Sequence, residues 1–129
     1  MTRRAYAWIV IRAFVQLMRY DCETALWGFS RVQRQLARQR PLLVSDDEAL
    51  VAAVCDAVVL AACFYWKPVL CLQRSVCAVR LLRARGQAAR LVVGYRPVPF
   101  FSHAWVEVNG RVVNDSPAYR QRLQVLYTA

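Results

Sequence analysis

Cys71-Leu72-Gln73-Arg74-Ser75-Val76-Cys77-Ala78-Val79-Arg80-Leu81-Leu82-Arg83-Ala84-Arg85-Gly86 is followed by Ala89-Arg90-Leu91-Val92-Val93-Gly94-Tyr95, and the hydrophobic period changes between the two. In the first stretch Leu72, Val76, Val79 and Leu82 recur at helical spacing among Arg74, Arg80, Arg83 and Arg85, and Gly86 ends the helix. In the second the period is two, which predicts a strand from Ala89 to Tyr95 closed off by Arg96-Pro97-Val98-Pro99. A helical first half that hands over to strands gives an α+β order.

Toward the C-terminus, His103–Val108 and Arg111–Asn114 form a hairpin across Asn109-Gly110. Its register decides what His103 faces. A two-residue turn pairs Asp115 with Ala104 and points its carboxylate away from His103. A three-residue loop Val108-Asn109-Gly110 with Gly110 left-handed in a bulge, or an equivalent bulge elsewhere in the pair, sets Asp115 opposite His103. Ser116 to Ala129 carries Tyr119, Leu123 and Leu126 and reads equally well as a strand or a short helix.

Toward the N-terminus, Tyr6, Ile9, Val10, Ala13, Phe14 and Leu17 mark an amphipathic helix from Arg3 to about Tyr20. A second helix is expected from an N-cap at Asp21 to about Arg38, with Pro41 as its stop and a linker over Gln39 to Val44. Ser45-Asp46-Asp47-Glu48 has the pattern of a capping box, Ser45 capping and Glu48 answering. The helix that follows, to about Phe64, has Asp56 as its sole charge beyond the start and reads as the central buried helix.

With 129 residues and 58% hydrophobic content the chain is expected to be one domain, 1–129, with a helical part over 1–66 and a helix-and-sheet part over 67–129. No uncharged run reaches the ~18 to 20 residues that a membrane-crossing helix needs. The start, Met1-Thr2-Arg3-Arg4, imitates a signal peptide, but Arg12 interrupts the apolar run and no small-residue cleavage site follows. The five cysteines, at 22, 55, 63, 71 and 77, include no C-x-x-C pair, and one histidine is too few to complete a zinc site. An odd number of thiols without an export signal points to reduced cysteines in the cytoplasm. Cys22, Cys55 and Cys63 read as small buried hydrophobes.

The net charge is +10, carried almost wholly by arginine. This bias matches an acidic peptide or protein surface, or simply a GC-rich genome. Nucleic acid is disfavoured: there is no Gly-rich phosphate loop, no recognition helix and no aromatic set interleaved with the arginines. The basic, aromatic N-terminal helices, with Arg31 and Arg34, are a candidate docking surface for a partner.

One thiol, the single imidazole and one carboxylate, Cys71, His103 and Asp115, follow one another in the order of a Cys-His-Asp nucleophilic triad. A thiol attacks as thiolate, and an imidazole held by a carboxylate is the usual means of forming one near neutral pH. Taken singly, a histidine in a strand is usually structural and an aspartate after a hairpin usually a turn residue. The joint arrangement favours the triad: Cys71 falls in the first turn of a helix, where free N–H groups favour a thiolate, while Cys77 lies mid-helix. A helix-borne cysteine with strand-borne partners is the plan of papain-like folds.

At these residues the sequence resembles a known family. Cys71-Leu72-x-Arg74-Ser75, Leu91-Val92-Val93-Gly94, His103-Ala104-Trp105-Val106-Glu107-Val108 and Asn114-Asp115 are similar to the transglutaminase-like cysteine peptidases of lasso peptide biosynthesis, the B-type proteins that remove the leader from a precursor peptide. His-Ala-Trp-Val-Glu alone is shared with transglutaminases generally; its combination with Cys-Leu-x-Arg-Ser is more specific. The length matches the split form, without a fused leader-recognition domain. The resemblance implies a papain/transglutaminase-like α+β fold with Cys71 at a helix start packed on a small antiparallel sheet, catalysis by Cys71, His103 and Asp115, and no cofactor or metal. It also implies three partners: the leader region of a precursor peptide, a small leader-recognition protein and a macrolactam cyclase. The oxyanion would meet the Cys71 N–H and one further donor, with Gln73 and Trp66 as candidates. Two other readings stand beside it: a transglutaminase-like acyl transferase, and a non-catalytic basic adaptor in which Cys71 is buried.

Overall fold

Helix α4 (Cys71–Ala84) is the element around which the others pack, with α1 (Arg3–Trp27) and α3 (Glu48–Phe64) on one side and strands β1 (Ala89–Pro97) and β2 (Phe100–Val108) on the other. This computed structural model describes residues 1–39 and 45–129; the expected stop at Pro41 and most of the expected linker lie outside them. The remaining elements are α2 (Phe29–Arg38), β3 (Arg111–Val112), α5 (Ala118–Arg122) and β4 (Gln124–Thr128). The sheet is antiparallel in the order β3-β2-β1-β4. Helices on an antiparallel sheet give the α+β class read from the sequence.

The central helix is α4 rather than α3. Ser75 through Leu82 are buried without a break, whereas α3 buries one face through Val51, Val54, Ala57, Val58 and Ala61 and exposes Asp56, Val59 and Leu60. The arginines of α4 do not form a solvated face. Arg80, 5% exposed, donates to Glu23 at 2.8 Å and to Gln35; Arg83 donates to the carbonyls of Ala89 at 3.0 Å and Leu36 at 2.6 Å. A buried cation is tolerable only with such partners.

Asp21 caps no helix. α1 runs on through it to Trp27, and the break comes at Gly28, whose φ of 78° suits glycine. Asp21 instead accepts from the Tyr65 hydroxyl and pairs with Lys67 at 2.7 Å, which fastens the end of α3 to α1. The cap of α3 is Asp47, accepting from the Leu50 N–H, and not Ser45, whose hydroxyl accepts from Gln87.

Burial opposes ionisation of Asp21, but hydrogen bonds from Lys67, Tyr65 and Gln73 outweigh it and hold the carboxyl below its usual range. Burial likewise opposes ionisation of Glu23, and hydrogen bonds from Arg80 and Arg19 hold it low. Carboxyls with a depressed folded-state pKa add stability above the ordinary carboxylate range and lose it as pH falls through the depressed value. The melting temperature should therefore be flat down to the usual carboxylate range, about pH 4, and fall below it. Asp21→Asn and Glu23→Gln should each lower the plateau and shallow the acid limb in thermal melts followed by circular dichroism.

Two apolar clusters enclose the sheet. Leu91, Ala104, Val106 and Val108 join the helical core, while Val92, Trp105 and Leu123 form a smaller cluster with Tyr119. The C-terminal segment is both a helix and a strand: α5 turns the chain, and β4 then pairs with β1.

Candidate active site

Cys71 is the first residue of α4, as its sequence position requires. The N-cap, Leu70, has no side-chain oxygen and makes no capping hydrogen bond, so the first-turn amides keep their capacity to stabilise negative charge. The thiol is half-buried and borders a cleft of about 470 Å³ that His103 also lines, with Phe29, Leu72, Val93 and Tyr127 as apolar or aromatic walls.

His103 lies on β2 opposite Gly94 of β1. Its Nε2–H donates to Oδ2 of Asp115 at 2.6 Å, and the two side chains are only 13% and 21% exposed. In a neutral imidazole, a proton held on Nε2 by this carboxylate leaves the lone pair on Nδ1. Asp115 is held in turn: its Oδ1 accepts from the Ser116 N–H at 2.8 Å, and the Arg74 guanidinium lies 3.6 Å from Oδ2.

The expected three-residue loop is not how Asp115 gets there. The turn is two residues, with Asn109 at φ 52° and Gly110 at φ 76°, and Val108 pairs with Arg111. The ladder continues through the Val113 N–H to the Val106 carbonyl, and there Asn114 interrupts it: the Val106 N–H donates at 2.8 Å to the Asn114 side-chain oxygen, not to a backbone carbonyl. Released from the ladder, the chain bends and brings the carboxylate to His103. The side-chain amide of Asn114 also donates to Ser75 at 3.2 Å, and the Ser75 hydroxyl donates to the Ala104 carbonyl at 3.3 Å. The cysteine helix, the histidine strand and the aspartate bend are thereby tied to one another.

An aromatic stack braces the imidazole. Tyr119 of α5 lies over His103 with 4.1 Å between ring centroids, and Phe101 and Trp105 flank it at 6.1 and 6.4 Å. The Trp105 indole donates to Glu107 at 2.8 Å, and Arg120 pairs with the same carboxylate. Gly94 makes room for this arrangement, since a Cβ there would come within 2.7 Å of the Trp105 ring.

Arg74 and Glu107 stand in the motifs quoted above, but no role at the site was read from the sequence for them, for Tyr119 or for Arg120. The i, i+2 spacing of Trp105 and Glu107 on one strand face was the available signal. Gln73, a candidate second oxyanion donor, is spent: it is buried and donates to the Leu17 carbonyl at 3.0 Å. Trp66 is 66% exposed, stacks on Tyr65 and does not line the cleft.

The other cysteines separate by burial. Burial pushes the Cys77 thiol up to about 12 and the Cys55 thiol up to about 11, so both stay protonated at neutral pH. Cys22 and Cys63 are exposed, contrary to their reading as buried hydrophobes. They sit on helix stretches whose outward faces the apolar composition does not reveal.

Among the described residues no helix is long and apolar enough to cross a membrane. No solved structure matches the chain. A curated Escherichia coli protein described as "Microcin J25-processing protein McjB" is 48% identical over 56 residues, 43% of this chain. The matched stretch spans 27% of that protein's length. The family model described as "Transglutaminase-like superfamily" matches residues 16–128, which takes in Cys71, His103 and Asp115 together with the helices and strands that carry them. The chain belongs to the transglutaminase-like superfamily.

Proposed function

We propose that this chain is a cysteine peptidase that removes the leader from a lasso peptide precursor. The observation that carries the reading is the 2.6 Å hydrogen bond between His103 and Asp115 beside a cleft that Cys71, at a helix start, also lines. The partial likeness to a microcin-processing protein supports the substrate class.

In the mechanism, Nδ1 of His103 takes the Cys71 proton, giving a thiolate and an imidazolium. The thiolate attacks the carbonyl carbon at the leader–core junction, and the Cys71 N–H receives the developing oxyanion. The imidazolium returns its proton to the departing amine as the C–N bond breaks, which leaves a thioester. A water then gives a proton to His103 and adds to the thioester carbonyl; the C–S bond breaks, releasing the leader as a carboxylic acid. Asp115 keeps the imidazole in the working tautomer and stabilises its charged form. No cofactor enters these steps. On this reading the chain is a single cytoplasmic domain whose partners are the precursor's leader region, a small leader-recognition protein and a macrolactam cyclase that uses the freed amine.

An acyl transferase would use the same residues and differ only in what clears the thioester. Product mass separates the two. Incubated with a precursor peptide and its leader-recognition protein in the presence of a free amine, the chain should release a leader that has gained water. A leader that has gained the amine instead would make the protein a transferase, and no cleavage at all would sink the peptidase reading.

A further inference from the structure

Helix α2 has two working faces. Phe29 and Gln33 line the cleft that holds Cys71 and His103, while Arg31, Arg34, Gln35 and Arg38 line a separate cleft of about 440 Å³ against Arg19 and Glu23 of α1. Helical geometry makes this division: Arg31, Arg34 and Arg38 fall within one narrow stripe at i, i+3 and i+7, and Val32 and Leu36 face the core.

The charge in the second cleft is unbalanced. Its one carboxylate, Glu23, already accepts from Arg80 at 2.8 Å and from Arg19. Arg80, 5% exposed, is bonded to the lining residues Glu23 and Gln35, and its Nε and Nη1 have no hydrogen-bond partner among the described residues. Around the opening, Arg31, Arg34 and Arg38 have no carboxylate partner among the described residues; Arg31 lies over the Trp27 ring at 4.1 Å. Five guanidiniums therefore surround a single, already satisfied acid. Guanidinium is the group best suited to bidentate pairing with planar carboxylates.

We propose that this α1–α2 cleft binds a carboxylate-rich peptide segment. The stripe from Arg31 to Arg38 is about 10 Å long at 1.5 Å per helical residue. That is the reach of about three residues of extended peptide, so a short run of Asp or Glu matches it. The location follows from charge and shape alone. The choice of a peptide over a nucleic acid rests on the peptide-processing reading, because a segment held on the outer face of α2 lies one helix thickness from the cleft that would cleave it.

The test uses a fluorescein-labelled hexaglutamate peptide and the Cys71→Ala chain, so that binding is read without turnover and its failure is distinct from failure of the peptidase reading. Anisotropy should report binding at roughly 50 mM NaCl that weakens at roughly 300 mM, as screening of exposed charges demands. Arg31→Glu with Arg34→Glu should weaken it at least about tenfold. Arg3→Glu with Arg4→Glu, an equal change of net charge at the start of α1, should leave it within about twofold. Hydrogen exchange on the unsubstituted helices should slow over 29–38 when the peptide is added, which keeps the test valid if a reversal variant fails to fold. Equal losses in the two double variants, no binding, no change of exchange in α2, or a single-stranded oligonucleotide of equal charge binding more tightly at the same arginines would each overturn the proposal.

Discussion

Cys71→Ala should abolish cleavage of the precursor while leaving the fold intact. The thiol is half-buried at the start of α4 and forms no disulfide, so removing its sulfur costs little packing. It costs the whole covalent route. Removing the nucleophile of a catalytic triad lowers kcat by about 10^4-fold or more, leaving only what binding and oxyanion donors contribute. Cys77→Ala is the matched control: Cys77 is fully buried and held as a thiol, so its loss should lower thermal stability and leave single-turnover kcat within a few fold. Mass spectrometry of the released leader reads both. A Cys71→Ala chain that cleaves at the unsubstituted rate would remove the assignment.

The second large effect is expected from His103→Ala. Its imidazole is asked to take the thiol proton, to give it to the amine and to activate water, so its loss touches every step. A reduction in kcat of about 10^3-fold to 10^4-fold, with KM little changed, is the signature of a group that acts in the transition state. Truncation also removes a ring from the stack with Tyr119, Phe101 and Trp105, and some loss of melting temperature should accompany it. His103→Gln keeps more of that packing without the chemistry, and should match His103→Ala in rate while melting higher.

Much of this arrangement could be read from residues, and what could not has a physical cause. The handover at Gly86 was legible because the hydrophobic period changes there, and with it the α+β order and the place of Cys71 in a first helical turn. The meeting of His103 with Asp115 could be anticipated from residue types and order, but not the route. Counting register assumes that backbone pairs with backbone, and here the Asn114 side chain takes the place of a carbonyl and lets the chain bend. The central helix was misread because composition favours the apolar α3. Burial of α4 depends on Glu23, Gln35 and the carbonyl of Leu36, partners that no local window contains. Asp21 looked like a helix start because its partners, Tyr65 and Lys67, are equally remote. Tyr119 lay in a tail whose pattern suited strand and helix alike, and the structure uses both.

Everything catalytic in this account depends on the ring of His103 withdrawing the proton from the Cys71 sulfur. The rate of Cys71 alkylation by iodoacetamide at pH 7, followed by peptide mapping, measures that directly in the unsubstituted chain and in His103→Ala. An unaided thiol is only a few per cent thiolate at this pH, so loss of the base should slow modification of Cys71 by about tenfold or more, while the exposed Cys22 and Cys63 react alike in both chains. Equal rates at Cys71 with and without His103 would contradict the account.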